Sequence, residues 1–179
     1  MPSTDVKLLM DNGDEAALGE AGEVCVKGPQ VMSGYYLKPE ANEAAFTSDG
    51  YFRTGDVGVF TPEGYLKIVD RKKDMIIRGG ENIYPAEIEN VLQQHDAVAE
   101  VAVFGVPDDY YGEIVGAAVK LARPVAASEL QALCAARIAK FKVPAVIFAV
   151  ERMPLTPSGK IRKVELRDWV KENRMEKLS

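Results

Sequence analysis

Cysteine, histidine and tryptophan are scarce in this 179-residue chain, with two, one and one copies. His95 leaves no second imidazole for a His-based zinc site or a conventional catalytic triad. Cys25 and Cys134 stand in the apolar stretches "EVCVKG" and "ALCAAR", which favours buried free thiols over a disulfide or a metal site. No run approaches the ~20 apolar residues that span a bilayer, and the start has no signal-peptide pattern. We therefore expect a cytoplasmic protein with no metal ligands of its own.

Acidic and basic residues are divided unevenly within a net charge of −5. Residues 1–136 contain 11 Lys+Arg and 22 Asp+Glu, whereas residues 137–179 contain 11 and 5. A basic end on an acidic chain suggests contact with anions, although a solvated helix face explains it as well. We expect no nucleic-acid partner.

The first region, residues 1–69, reads as strands and turns without a helix. Apolar residues predict strands at 6–10 and 22–27, separated by a polar loop. Pro62 and Gly64 stand between two further apolar runs and predict a hairpin. This half is therefore expected to be β-rich.

The second region, residues 74–179, alternates strands with three helices, so the predicted fold class is α+β. The first helix is expected to bury Ile88, Val91 and Leu92, and the last, over residues 163–174, to turn Leu166, Trp169 and Val170 inward. A capping box, Ser128 with Gln131, is expected at the start of the middle helix. The glycine pair Gly79-Gly80 predicts the turn of a hairpin, and Pro85 predicts the start of the first helix.

Two segments carry side chains suited to a nucleotide. In "YFRTGD" a tight turn is expected to hold Asp56, whose carboxylate can accept hydrogen bonds from both ribose hydroxyls. In "DRKKD" the planar guanidinium of Arg71 suits a phosphate or a carboxylate. A turn residue that binds only backbone and a solvated linker are the structural alternatives.

Two further segments combine glycine with a charge. In "RGGEN" adjacent glycines let a ligand approach the backbone, but a plain hairpin turn explains them equally well. In "PLTPSGKIRK" Lys160 follows Gly159 and can reach a reacting anion. The segment is not a Walker A loop, because Pro154 stands where the first glycine is needed and Ile161 replaces Ser/Thr.

Taken in order and spacing, "YFRTGD", "DRKKDMIIRGGENIYPAEIE" and "PLTPSGKIRK" resemble three signature motifs of the adenylate-forming (acyl-activating) superfamily. The resemblance covers about residues 5–170 and looks most like medium- or long-chain fatty acyl-CoA synthetases. It implies that a carboxylic acid and ATP give an acyl-adenylate and pyrophosphate. CoA then gives the thioester and AMP. ATP, CoA and Mg²⁺ are the implied cofactors, bound mainly by a large N-terminal part.

The resemblance also implies roles for single residues. Asp56 would hold the ribose hydroxyls, and Arg71 would contact the ribose-phosphate region. Lys73 falls at the hinge position of the family. Lys160 matches the lysine of the adenylation step, and its surroundings suggest a substrate for a lysine acyltransferase.

The glycine turn has a second implied role. Gly79, Gly80 and Glu81 match the loop that lines the pantetheine tunnel during thioester formation. Because this loop and Lys160 would serve one active site at different times, a rotation is implied.

The implied division is a β-rich end of the large body at residues 1–70 and a C-terminal lid at 71–179, with a hinge at about 70–74. No Ser/Thr/Gly-rich phosphate loop occurs in the sequence. The chain is therefore expected to be a C-terminal fragment that is inactive alone. A non-catalytic module that binds nucleotide, CoA or a partner stays the alternative.

Overall fold

The computed structural model describes residues 3–179, which form two compact units that meet in the chain between Lys73 and Asp74. The first unit contains a four-stranded antiparallel sheet in sequence order. Its strands are β1 (Asp5–Leu9), β2 (Ala21–Lys27), β3 (Phe52–Phe60) and β4 (Leu66–Arg71). The roles of the two units as body and lid stay predictions.

A short helix, α1 (Pro39–Ala45), lies between β2 and β3, so the expectation of no helix in this region was wrong. Pro39 suits the first turn because its missing N–H would be unpaired there, and Glu40 is favourable near the positive end of the helix. None of its seven residues is buried, so it has no apolar stripe that a sequence pattern would reveal.

The second unit is a mixed sheet with helices on both faces, which confirms the α+β prediction. The sheet order is β10-β9-β8-β5-β6, with β7 paired to β8, and only β8 and β9 run parallel. The strands are β5 (Ile76–Arg78), β6 (Glu81–Ile83), β7 (Val98–Asp108), β8 (Gly112–Leu121), β9 (Val146–Ala149) and β10 (Glu176–Lys177). The helices are α2 (Pro85–Leu92), α3 (Ala127–Ala135) and α4 (Lys163–Lys171).

Alternation along the strands divides the core of this unit into two clusters. Ala117 and Val119 of β8 join the cluster that contains Ile88 of α2 and Leu130 of α3. Ala118, between them, joins the cluster that contains Leu166 of α4. The two faces of one sheet therefore bury different helices.

The capping box expected for α3 was wrong. Its N-cap is Ala126, and no side chain caps the helix. Gln131 instead donates from Nε2 to the carbonyl of Pro144 at 3.0 Å. Strand β10 was not expected, and α4 ends at Lys171, three residues early. Among residues 3–179, no helix is long and apolar enough to cross a membrane.

Candidate functional site

Asp56 and Arg71 face each other across the β3–β4 hairpin. They are register partners, and Nε of Arg71 lies 2.8 Å from Oδ1 of Asp56. Asp56 sits within β3 rather than in the expected tight turn, and its N–H donates to Oγ1 of Thr54 at 3.1 Å. Strand pairing thus brings together the two residues that sequence analysis assigned to the nucleotide.

This pair is open to solvent, since the side chains of Asp56 and Arg71 are 30 % and 53 % exposed. A solvent-exposed ion pair contributes about 0–1 kcal/mol, so a ligand can rearrange it at low cost. The carboxylate has a second oxygen and the guanidinium has further N–H groups. Together they can bind a diol and a phosphate side by side.

The charge cluster after β4 is partly paired, so the alternative of a solvated linker does not describe Lys72. Its ammonium lies 2.8 Å from Oδ1 of Asp11 and 3.2 Å from Oε2 of Glu23. Burial lowers the pKa of Lys72, but the hydrogen bonds to Asp11 and Glu23 outweigh it and raise the pKa overall. Lys73 is exposed, and no partner for its side chain is found within residues 3–179.

Gly79 and Gly80 form the two-residue turn of the β5–β6 hairpin, as predicted. Their φ angles are +57° and +89°, the pattern of a type I′ turn that glycine adopts without strain. Gly79 donates its N–H to the carbonyl of Tyr111 at 2.9 Å. A Cβ added at Gly79 would lie 3.3 Å from the Tyr111 ring, whereas Gly80 faces open space and Glu81 is exposed.

Sequence analysis missed the residues that hold this turn. The Arg78 guanidinium lies 3.9 Å from the centre of the Tyr111 ring, and Oδ1 of Asp108 accepts the Tyr111 N–H at 2.8 Å. Oε2 of Glu113 accepts the Ile77 N–H at 3.0 Å. The signal was "PDDYYGE", which places two aromatic residues in a turn where polar residues are usual.

Lys160 ends a tight turn that begins at Thr156. Gly159 donates to the Thr156 carbonyl at 2.9 Å, Thr156 donates to the Lys160 carbonyl at 2.7 Å, and the Lys160 N–H reaches Thr156 Oγ1 at 3.0 Å. Gly159 has a φ of +80°, which fits a three-residue loop with a left-handed final position. The side chain of Lys160 is exposed and has no ion-pair partner in the described part of the chain.

The segments that lead to the two turns leave the sheet at opposite ends of β8. Arg78, next to the glycine turn, pairs with Gly112 at the start of β8. Ala149, where the segment leading to Lys160 leaves the sheet, pairs with Val119 near its other end. Seven residues of strand separate these points, about 23 Å. Within residues 3–179 no group of three His, Cys, Asp or Glu residues is placed to hold a metal ion.

This geometry occurs in known proteins. The chain superposes on the o-succinylbenzoate-CoA synthetase MenE of Bacillus subtilis, in complex with an acyl-adenylate, with a TM-score of 0.87 at 44 % identity over 94 % of this chain and 34 % of that chain. For ATP-bound MatB of Rhodopseudomonas palustris the TM-score is 0.90 at 35 % identity, over 97 % and 35 %. Residues 87–160 match the model of the AMP-binding enzyme C-terminal domain.

The chain belongs to the adenylate-forming superfamily. This confirms the family to which the sequence motifs pointed. Among curated relatives, the medium-chain acyl-CoA ligase ACSF2, mitochondrial, of Pongo abelii is 44 % identical over 97 % of this chain and 29 % of its own length. A long-chain-fatty-acid–CoA ligase of Salmonella typhimurium is 46 % identical over 94 % and 30 %. This superfamily member thus spans about a third of the length of the relatives it matches.

Proposed function

We propose that this chain is the C-terminal part of an ATP-dependent, AMP-forming acyl-CoA ligase. A carboxylate oxygen of the acid would attack the α-phosphorus of ATP, and pyrophosphate would leave. The CoA sulfur would then attack the acyl carbon, losing its proton, and AMP would leave. We expect a fatty acid as the substrate. The 2-succinylbenzoate and long-chain-fatty-acid ligases match this segment at 45 % and 46 % identity, so we assign the choice of acid to other parts of the enzyme.

The observation that carries this proposal is that the segments leading to the two candidate turns leave the sheet at opposite ends of β8, together with the ammonium of Lys160, which has no ion-pair partner among residues 3–179. A unit that offers different groups at two ends suits two successive half-reactions, because rotation can exchange the end that faces the substrates. In the first, Lys160 would neutralise negative charge on the carboxylate and the α-phosphate. In the second, the Gly79-Gly80 turn, with Glu81 beside it, would let the pantetheine arm pass close to backbone.

Asp56 and Arg71 serve the nucleotide in this proposal. Asp56 would accept hydrogen bonds from the ribose hydroxyls, and Arg71 would lie near the ribose phosphate. Their mutual ion pair would hold both side chains ready before ATP arrives. Lys73 would be the hinge. Mg²⁺ is assigned no residue here, because the described part of the chain offers no cluster for it.

Lys160→Gln in the full-length protein tests the proposal. We expect acid-dependent pyrophosphate exchange to fall by about 100-fold or more, the range for loss of one preorganised charge-stabilising group. Thioester formation from supplied acyl-adenylate should stay within a few-fold of the parent value. Lys171→Gln removes the same charge from α4 and is the matched control. Equal loss of both half-reactions in Lys160→Gln would refute the role, and binding of AMP or CoA without turnover by the parent protein would favour a non-catalytic module.

Three narrower expectations depend on this proposal. The 179 residues alone should show no ligase activity, since their sequence has no phosphate-binding loop. Acylation of Lys160 would remove its charge as Lys160→Gln does, but no comparison supports a lysine acyltransferase partner. Cytoplasmic location stays a prediction, because ACSF2 is named as mitochondrial.

A further inference from the structure

Glu23 is an unusual residue of the first unit because its carboxylate is buried. It is 7 % exposed, and it is the one charged residue classed as buried among residues 3–179. It lies on β2 beside the bulge that shifts the register against β3. A buried carboxylate is costly unless it is paired, so its partners identify its task.

One carboxylate oxygen of Glu23 forms ion pairs with two cationic side chains. Nη1 of Arg53 lies 2.9 Å and Nζ of Lys72 lies 3.2 Å from Oε2. Arg53 belongs to β3, so this pair ties two neighbouring strands. Lys72 lies beyond the last strand of the sheet and is also bound by Asp11, in the turn after β1. The second contact of Glu23 therefore holds a residue that strand pairing does not hold.

The ion pairs that hold this segment to the first sheet end at Lys72. Arg71 is held by Asp56 and Lys72 by Glu23 and Asp11, whereas no partner for the Lys73 side chain is found in the described residues. The division between the two units follows Lys73 directly. The last residue anchored to the first sheet is thus the one before the proposed hinge.

We propose that Glu23 is a positioning residue that anchors Lys72 to the first sheet and so confines rotation of the lid to Lys73 and Asp74. The inference rests on the proposed function, since it gives the rotation a starting point. A hinge that rotates about few dihedral angles allows few orientations of the lid, so the lid spends a larger fraction of its time in the orientation that each half-reaction needs. If Lys72 is freed, its φ and ψ angles join the hinge, and the population of both productive orientations falls.

Backbone ¹⁵N relaxation of the 179-residue chain tests the anchor without any activity. We expect the order parameter of the Lys72 amide to fall from the rigid value of about 0.85 towards 0.6 in Glu23→Gln, with Lys73 changed less. Lys72→Met cuts this link together with the Lys72–Asp11 pair while keeping the Glu23–Arg53 pair, and it keeps the test decisive if Glu23→Gln does not fold; Asp11→Asn, which leaves Glu23 in place, separates the two contacts. Asp49→Asn, which breaks the Lys7–Asp49 pair of the same unit, is the matched control. An unchanged order parameter of the amide at position 72 in Lys72→Met, or an equal fall of that order parameter in Asp49→Asn, would overturn the proposal.

The kinetic test uses full-length Lys72→Met. We expect kcat of both half-reactions to fall about 3–10-fold with KM for ATP unchanged, because orientation and not nucleotide binding is affected. A raised KM with constant kcat would contradict the anchor role. The two proposals can fail separately. If the amide at position 72 becomes more mobile but Lys160→Gln leaves pyrophosphate exchange unchanged, the anchor stands and the proposed role of Lys160 in the ligase mechanism is refuted.

Discussion

The two units differ in how they are stabilised. The second unit buries side chains on both faces of its sheet, with Ile88 and Leu166 fully inaccessible. The first unit buries far less: Leu66 and Ile68 on β4 are exposed. Its buried apolar residues are Leu8, Leu9, Val24, Cys25 and Val57. Stability of the second unit therefore comes from a core of its own, whereas the first unit has fewer buried apolar residues and depends more on strand pairing.

Core truncation should give the largest contrast. Ile88→Ala, at a residue that is 0 % exposed, should lower the free energy of unfolding by about 2–5 kcal/mol through lost burial and a cavity. Leu66→Ala, at a residue 37 % exposed, should cost less than about 1 kcal/mol. Urea denaturation of both variants measures the difference. Similar losses would mean that β4 is packed more tightly than its exposure indicates.

The two thiols offer a reporter in each unit. Cys25 and Cys134 are both free and buried, and burial raises the pKa of both thiols, that of Cys134 to about 11. Alkylation therefore requires local opening. If the free energy of local opening around Cys25 is about 3 kcal/mol lower than that around Cys134, Cys25 should react roughly 100-fold faster. Peptide mass spectrometry after timed iodoacetamide treatment measures both rates in one sample. Faster labelling of Cys134 would reverse the comparison.

One turn pattern occurs in both units. Thr61-Pro62-Glu63-Gly64-Tyr65 makes the same backbone hydrogen bonds as the turn from Thr156 to Lys160. Gly64 and Gly159 have φ angles of +83° and +80°, with open space around each. Ala at either position should cost about 1–2 kcal/mol, because the left-handed conformation strains a Cβ.

The matched pair separates strain from function. Both Gly→Ala variants should show the same loss in denaturation, but Gly159→Ala alone should reduce pyrophosphate exchange, since it displaces Lys160. Equal activity of the two variants would argue that the turn does not position the lysine.

Protonation of Asp49 at low pH should have the smallest effect on stability. Hydrogen bonds from Lys7 and Thr47 lower the pKa of Asp49 to about 2 from its usual 3.8. Because the folded-state pKa is the lower one, the contribution to stability is present above pH 3.8 and is lost as pH falls through about 2. It should be small and screened by salt, since the pair is exposed. An NMR titration of the Asp49 carboxyl carbon checks this, and a midpoint near 3.8 would contradict the pairing.

Local signals predicted more than distant ones. The glycine turn at Gly79, the start of α2 at Pro85 and the buried residue Ile88 follow from residues close in sequence, and the structure confirms them. The Glu23–Lys72 contact spans 49 positions and gives no sequence pattern. Helix α1 was missed because it has no buried face. The pairing of Asp56 with Arg71 required the register of a hairpin whose bulge lies beside them.

Strand β8 contributes to both cores of the second unit, and this limits how its length can vary. One inserted residue would turn the alternation of the strand over, so that Ala117 and Ala118 would exchange clusters. An insertion of two residues would restore the alternation. We therefore expect this strand to tolerate changes of length in pairs of residues, about 7 Å at a time.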